Sequence, residues 1–203
     1  MIDTVGQDGR PLLLIDVDGV TNVFGAWFPT DTTVYDEQDM RRASPRFPEH
    51  LREARAGRFK VLLNPEHPQW FARAEKLFEC VHATMWQADV YLFAQVAGYG
   101  QDWDYIDFDG AQLRLQRRGS DRRVGAGITE YKWPGLLQTI GDRPVVYVDD
   151  DLTNAQLVWA RERNASGIPT LFLRPSPRTG MLRSHFNRIL AFSARVSDAS
   201  LVS

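Results

Sequence analysis

The chain reads as an α/β protein in three layers, with helices on both faces of a central, mainly parallel sheet. Two apolar runs predict this. Leu12-Leu13-Leu14-Ile15 is uninterrupted and stops at Asp16, Asp18 and Gly19, and Val145-Val146-Tyr147-Val148 stops in the same way at Asp149, Asp150 and Asp151. Short apolar runs bounded by turn signals describe strands buried on both faces, and such strands belong to parallel sheets covered by helices. A third observation is the helical spacing of apolar residues between and after the runs, in segments punctuated by Pro and Gly. In open α/β sheets ligands bind outside the carboxyl ends of the strands. Acids at those ends are placed to do chemistry or to hold a metal, and without a partner or a cation their charge is costly.

The 203 residues suffice for one well-buried core, so a single domain over 1–203 is expected, with its core at about 11–190 and loose termini at 1–10 and 193–203. Hydrophobic residues at 43% and charged residues at 25% are those of an ordinary globular protein. A net charge of −2 excludes a global basic field, so any nucleic-acid contact must be local. The single cysteine, Cys80, excludes an internal disulfide framework and suits a reducing compartment. No secretory leader pattern opens the chain and no apolar run is long enough to span a bilayer, which predicts a cytoplasmic protein without membrane contact.

Pro11 can open the first strand. After Gly19, the Gly, Pro, Thr and aromatic mixture of Val20 to Tyr35 suits a β-hairpin or loop. A weak helical pattern surrounds Phe47 to Ala56, and Phe59 to Asn64 reads as a short strand able to pair with that hairpin. Trp70, Phe71, Ala74, Leu77 and Phe78 predict a helix with Pro68 in its first turn. Cys80 to Thr84 is a short strand ending in a hydroxyl, and Met85 follows it. Trp86 to Ala97 predicts a helix closed by Gly98, and Tyr105 to Phe108 a short strand. Arg114, Arg117, Arg118, Arg122 and Arg123 form either a solvated loop or a phosphate-recruiting patch, since planar guanidinium groups grip phosphate with two prongs. A helix is expected to open at Lys132, with Pro134 in its first turn and Gly141 after its end. Lys132 itself reads equally well as a surface lysine. Thr153 caps a helix running to about Arg163, and Thr170 to Leu173 is a last strand. Ser193 to Ser203 reads as a frayed tail.

Asp16-Val17-Asp18-Gly19-Val20 resembles motif I of the haloacid dehalogenase (HAD) superfamily, an apolar strand ending in DxDG. Thr84 is similar to motif II, Lys132 to motif III, and the acids after Val148 to motif IV. The chain also resembles a subgroup of HAD-like proteins found in bacteria and phages. The residues carrying that likeness are Thr84-Met85-Trp86, Val148 to Thr153, Trp159-Ala160, Gly167 to Pro175, Gly180-Met181 and His185, with Thr21 standing where Leu is more usual. The resemblance covers about Leu12 to Arg188 and implies a Rossmannoid three-layer α/β/α sandwich with a β-hairpin flap and a minimal cap or none.

It also implies a Mg²⁺-dependent phosphatase acting through an aspartyl-phosphate. In that scheme Asp16 is the nucleophile and Asp18 the general acid and base. Thr84 and Lys132 bind the phosphate, beside Gly19 and Met85. Asp16, the backbone carbonyl of Asp18, and Asp149 hold the metal, with Asp150 as the alternative ligand. Arg117 and Arg118 are candidate substrate contacts. The second motif I aspartate argues against dehalogenation. Little chain is left over for a cap, so the site is expected to admit a large phosphorylated substrate such as a nucleic-acid end. The alternatives are a small-metabolite or nucleotide phosphatase, and a non-catalytic module that binds nucleic acid or a phosphorylated partner.

Overall fold

The computed structural model describes residues 9–24, 36–41, 58–108 and 128–200. Its centre is a five-stranded sheet built from β1 (Leu12–Ile15), β4 (Glu79–His82), β5 (Asp104–Tyr105), β6 (Val145–Val148) and β7 (Thr170–Leu173). The strands run in the order β5-β4-β1-β6-β7 and every pair is parallel. A separate antiparallel pair joins β2 (Asp36–Arg41) to β3 (Arg58–Leu63). The helices are α1 (His67–Ala74), α2 (Val90–Ala97), α3 (Ile128–Ile140), α4 (Asn154–Ala165) and α5 (Arg183–Ser200), with a 3₁₀ turn at Gln87–Asp89.

Alternation along β1 divides the interior in two, because successive side chains leave a strand on opposite faces. Leu13 and Ile15 pack with Trp70 and Phe71 of α1, Val90 and Phe93 of α2, and Phe186, Ile189 and Phe192 of α5. Leu12 and Leu14 pack with Leu136 and Ile140 of α3 and Ala160 of α4. Helices therefore cover both faces, and β1 is buried along its whole length. No helix among the described residues is long and apolar enough to cross a membrane.

Several elements differ from expectation. β3 pairs with Asp36–Arg41, and residues 25–35 of the expected hairpin lie outside the described residues. The turn after β1 is tied to β3 by a bridge from Asn22 to Leu63, by the Val23 N–H donating to the Leu62 carbonyl at 3.2 Å and by the Leu62 N–H donating to Asn22 Oδ1 at 3.1 Å. The helical pattern at Phe47 to Ala56 and the arginines from Arg114 to Arg123, including Arg117 and Arg118, lie outside the described residues. Helix α1 stops at Ala74, short of Leu77 and Phe78, because Glu79 must extend to donate its N–H to the Pro11 carbonyl (3.0 Å) and begin β4. β5 is cut to two residues because Ile106 and Phe108 turn onto the α3 face. Gly135 makes room there: a Cβ on it would lie 2.8 Å from the Phe108 ring. Helix α3 begins at Ile128, so Lys132 sits in its second turn and Pro134 inside it. The tail is not frayed at Ser193, since α5 continues to Ser200 and buries Phe192, Ser193 and Val196. Phe186, Ile189, Phe192 and Val196 form a stripe at helical spacing, which the polar residues between them obscure in the sequence.

Candidate metal and phosphate centre

The order β4-β1-β6 places the two acid-terminated strands side by side. It is also where the chain reverses direction across the sheet, the position at which open α/β sheets form a crevice. Register completes the placement. Ile15 pairs with Val148, and the N–H of Asp16 donates to the Val148 carbonyl at 3.0 Å, so Asp16 and Asp149 leave neighbouring strands at the same height.

Lys132 Nζ lies 2.8 Å from Asp16 Oδ2 and 2.8 Å from Asp149 Oδ2. All three side chains are buried, which decides against the surface reading of Lys132. Asp149 also accepts hydrogen bonds from the Tyr147 hydroxyl at Oδ2 and from the Asp151 N–H at Oδ1, the latter 2.8 Å. Asp150 is half-buried and rests against Gly19, where the chain turns back at φ +73°. A Cβ on Gly19 would come within 2.3 Å of the Asp150 carboxyl carbon, so glycine serves both the backbone conformation and the space for that acid. The turn itself is tied down by the Val17 carbonyl, which accepts the N–H groups of Val20, Thr21 and Asn22 at 3.2, 2.8 and 2.8 Å.

Asp18 stands beside this cluster, half-buried, and each of its oxygens has a neutral donor. Trp86 Nε1 donates to Oδ2 at 2.8 Å and Asn22 Nδ2 to Oδ1 at 2.8 Å. Thr84 is buried just beyond the end of β4, where its hydroxyl accepts the Trp86 N–H at 3.4 Å. Met85 is exposed next to it. The structure thus gathers Asp16, Asp18, Gly19, Lys132, Asp149 and Asp150, with Thr84 linked to Asp18 through Trp86. Sequence reasoning missed Tyr147, Asn22 and the contact made by Trp86. Tyr147 carries a signal, as the one polar group in its strand and two residues from Asp149 on the same face. Asn22 and Trp86 carry none, because their roles depend on where the turn and β4 lie.

The electrostatics leave negative charge uncompensated. Burial pushes the Asp16 carboxyl up to about 7, with Asp149 adding to the rise and Lys132 opposing it. Burial and then Asp149 push Asp150 up to about 6. Burial disfavours charge on Lys132, but Asp16 and Asp149 together hold it above the ordinary lysine range. One ammonium faces three carboxyl groups. Asp16, Asp149 and Asp150 each offer a ligand oxygen, and those atoms lie within 4.8 Å of one another. The set suits a hard, oxygen-ligated cation, whose charge would reverse these shifts.

A cleft lined by Arg10, Glu75, Glu79, Trp103 and Asp104, toward the start of β4, contains none of the residues of this centre. Compared with known proteins, the chain matches no family model and no curated protein.

Proposed function

We propose that the chain is a Mg²⁺-dependent phosphohydrolase of the HAD kind that cleaves phosphate monoesters through an aspartyl-phosphate on Asp16. The observation that carries the reading is the buried Lys132 bridging Asp16 and Asp149 at the joined ends of β1 and β6, with Asp150 against Gly19 beside them. Lys132 holds Asp16 in place and presents fixed positive charge where a phosphoryl group would arrive. Asp16 attacks phosphorus, forming one O–P bond as the bond to the leaving oxygen breaks. Asp18 gives that oxygen a proton, then takes one from the water that hydrolyses the aspartyl-phosphate and releases phosphate. Asp16, Asp149 and Asp150 would hold Mg²⁺, which supplies charge neutralisation for the acids and the transferred group. A module that only binds phosphate has no use for Asp18 fixed beside the cluster by a donor on each oxygen.

Purified protein should release phosphate from an aryl phosphate with Mg²⁺ and stop when EDTA is added. Asp16→Asn should lower kcat at least about 10³-fold and abolish the mass increase of one phosphoryl group in acid-quenched protein. Retention of more than about a tenth of the activity in Asp16→Asn would falsify covalent catalysis by this residue. A panel of phosphorylated oligonucleotides, nucleotides and small metabolites then ranks the carriers of the phosphate, a nucleic-acid end being the large substrate in question.

A further inference from the structure

We infer that Trp86 is a positioning residue for Asp18, fixing the carboxyl group that gives and takes the proton; the inference rests on the phosphohydrolase reading. The two residues are 68 positions apart and meet only because β4 lies beside β1. Trp86 Nε1 donates to Asp18 Oδ2 at 2.8 Å, and the indole is itself fixed, 3% exposed and packed edge-on against Phe93 at 5.4 Å. Its backbone N–H is tied to Thr84 Oγ1 at 3.4 Å. The residue that follows, Gln87, has φ +53° and is the one non-glycine with positive φ among the described residues. Backbone strain of this kind persists only where its surroundings enforce it, and it concentrates at functional sites.

The chemistry of the two donors gives the contact its direction. An indole N–H can donate and cannot accept. Asn22 Oδ1 is engaged by the Leu62 N–H at 3.1 Å, which leaves the Asn22 NH₂ facing Asp18. Both partners therefore present only N–H groups, and a proton on Asp18 finds no acceptor in either of them. It is left for the leaving oxygen. When the phosphoryl group moves to Asp16, the P–O bond to the leaving group breaks and that oxygen takes the proton from Asp18. Water then bonds to phosphorus, its proton returns to Asp18, and the bond between Asp16 and phosphorus breaks. Both transfers need the Asp18 oxygen within hydrogen-bond reach, where a displacement of about 1 Å can cost roughly 100-fold.

The test compares Trp86→Phe with the wild type on an alkyl phosphate, whose leaving oxygen needs a proton, and an aryl phosphate, whose leaving oxygen does not. The expected result is a fall in kcat for the alkyl phosphate of about 10- to 100-fold with KM unchanged, while the burst of phenolate from the aryl phosphate is nearly preserved. In an Asp18→Asn background the same substitution should add nothing. Equal losses in the rate of phosphoenzyme formation from both substrates, wild-type kinetics, or losses that add to those of Asp18→Asn overturn the inference. A wild-type chain that turns over neither substrate overturns the phosphohydrolase reading itself. If Trp86→Phe does not fold, the assigned Trp86 indole ¹⁵N–¹H resonance decides: it should shift between wild type and Asp18→Asn, and an unmoved peak overturns the contact.

Discussion

Asp149 and Asp150 are neighbours in the chain with different circumstances. Asp149 is fully buried and accepts from Lys132, Tyr147 and the Asp151 N–H, so it organises the interior of the centre. Asp150 is half-exposed, and burial and Asp149 already disfavour its charge. Asp149→Asn should therefore destabilise the protein by about 3 kcal/mol, since it removes the charge from a buried pair and upsets two donors. Asp150→Asn should keep or raise the melting temperature of the metal-free protein and diminish the further rise produced by Mg²⁺. Thermal unfolding with and without Mg²⁺ measures both. The reverse pattern would assign the organising role to Asp150.

Among the elements, α4 shows how local chemistry secures the site. Thr153 caps it in a reciprocal box: the Gln156 N–H donates to Thr153 Oγ1 at 3.3 Å, and Gln156 Oε1 accepts the Thr153 N–H at 2.9 Å. Since Thr153 follows the acids by two residues, the cap also fixes where their loop ends. Thr153→Ala should cost about 1 kcal/mol, within roughly 0.5–2, and Thr153→Ser should recover most of it. Urea unfolding reads the difference, and an unchanged midpoint for Thr153→Ala would show that the loop holds the helix start without the cap. Helix α3 works by reach instead. Its early start brings Lys132 into the interior from the second turn, although Pro134 removes one hydrogen bond from the helix.

For the molecule as a whole, two sets of groups shifted by burial respond to pH with opposite sign. His67 and His82 each place Nε2 against a backbone carbonyl, of Met181 at 3.0 Å and Gly100 at 2.8 Å, and burial lowers both to about 4. Their folded values lie below the unfolded value near 6.5, so the stability they contribute is present above that value and lost as pH falls toward about 4. Asp16 and Asp150 are raised to about 7 and about 6. Their contribution is present below the unfolded carboxyl value and lost as pH rises through those two values. The metal-free protein should thus show a shallow melting profile between about pH 4.5 and 7, where the two trends offset each other. On the proposed reading Mg²⁺ would bind the ionised carboxylates, so the rise in melting temperature that it causes should grow from about pH 5 to about pH 8. Calorimetry across that range checks the sign, and a Mg²⁺ effect that shrinks with rising pH would contradict the carboxylate site.

The sequence by itself determined the sheet and the acids. Strands at Leu12–Ile15 and Val145–Val148 were legible because a strand buried on both faces must be apolar throughout, and Asp16, Asp18, Asp149 and Asp150 stand where that requirement ends. The cap at Thr153 was legible for the same local reason, since its partner is three residues away. Only the tertiary structure decided that Lys132 is interior, that Trp86 and Asn22 hold Asp18, and that Tyr147 and Lys132 share one oxygen of Asp149. Strand order and register bring most of these groups together across long stretches of sequence. Even where the partners are close, as Asn22 and Tyr147 are, the turn and the burial that make the contact worthwhile come from the assembled sheet. A hydrogen bond formed by packing leaves no periodicity in the chain, whereas burial of a strand writes itself into every residue.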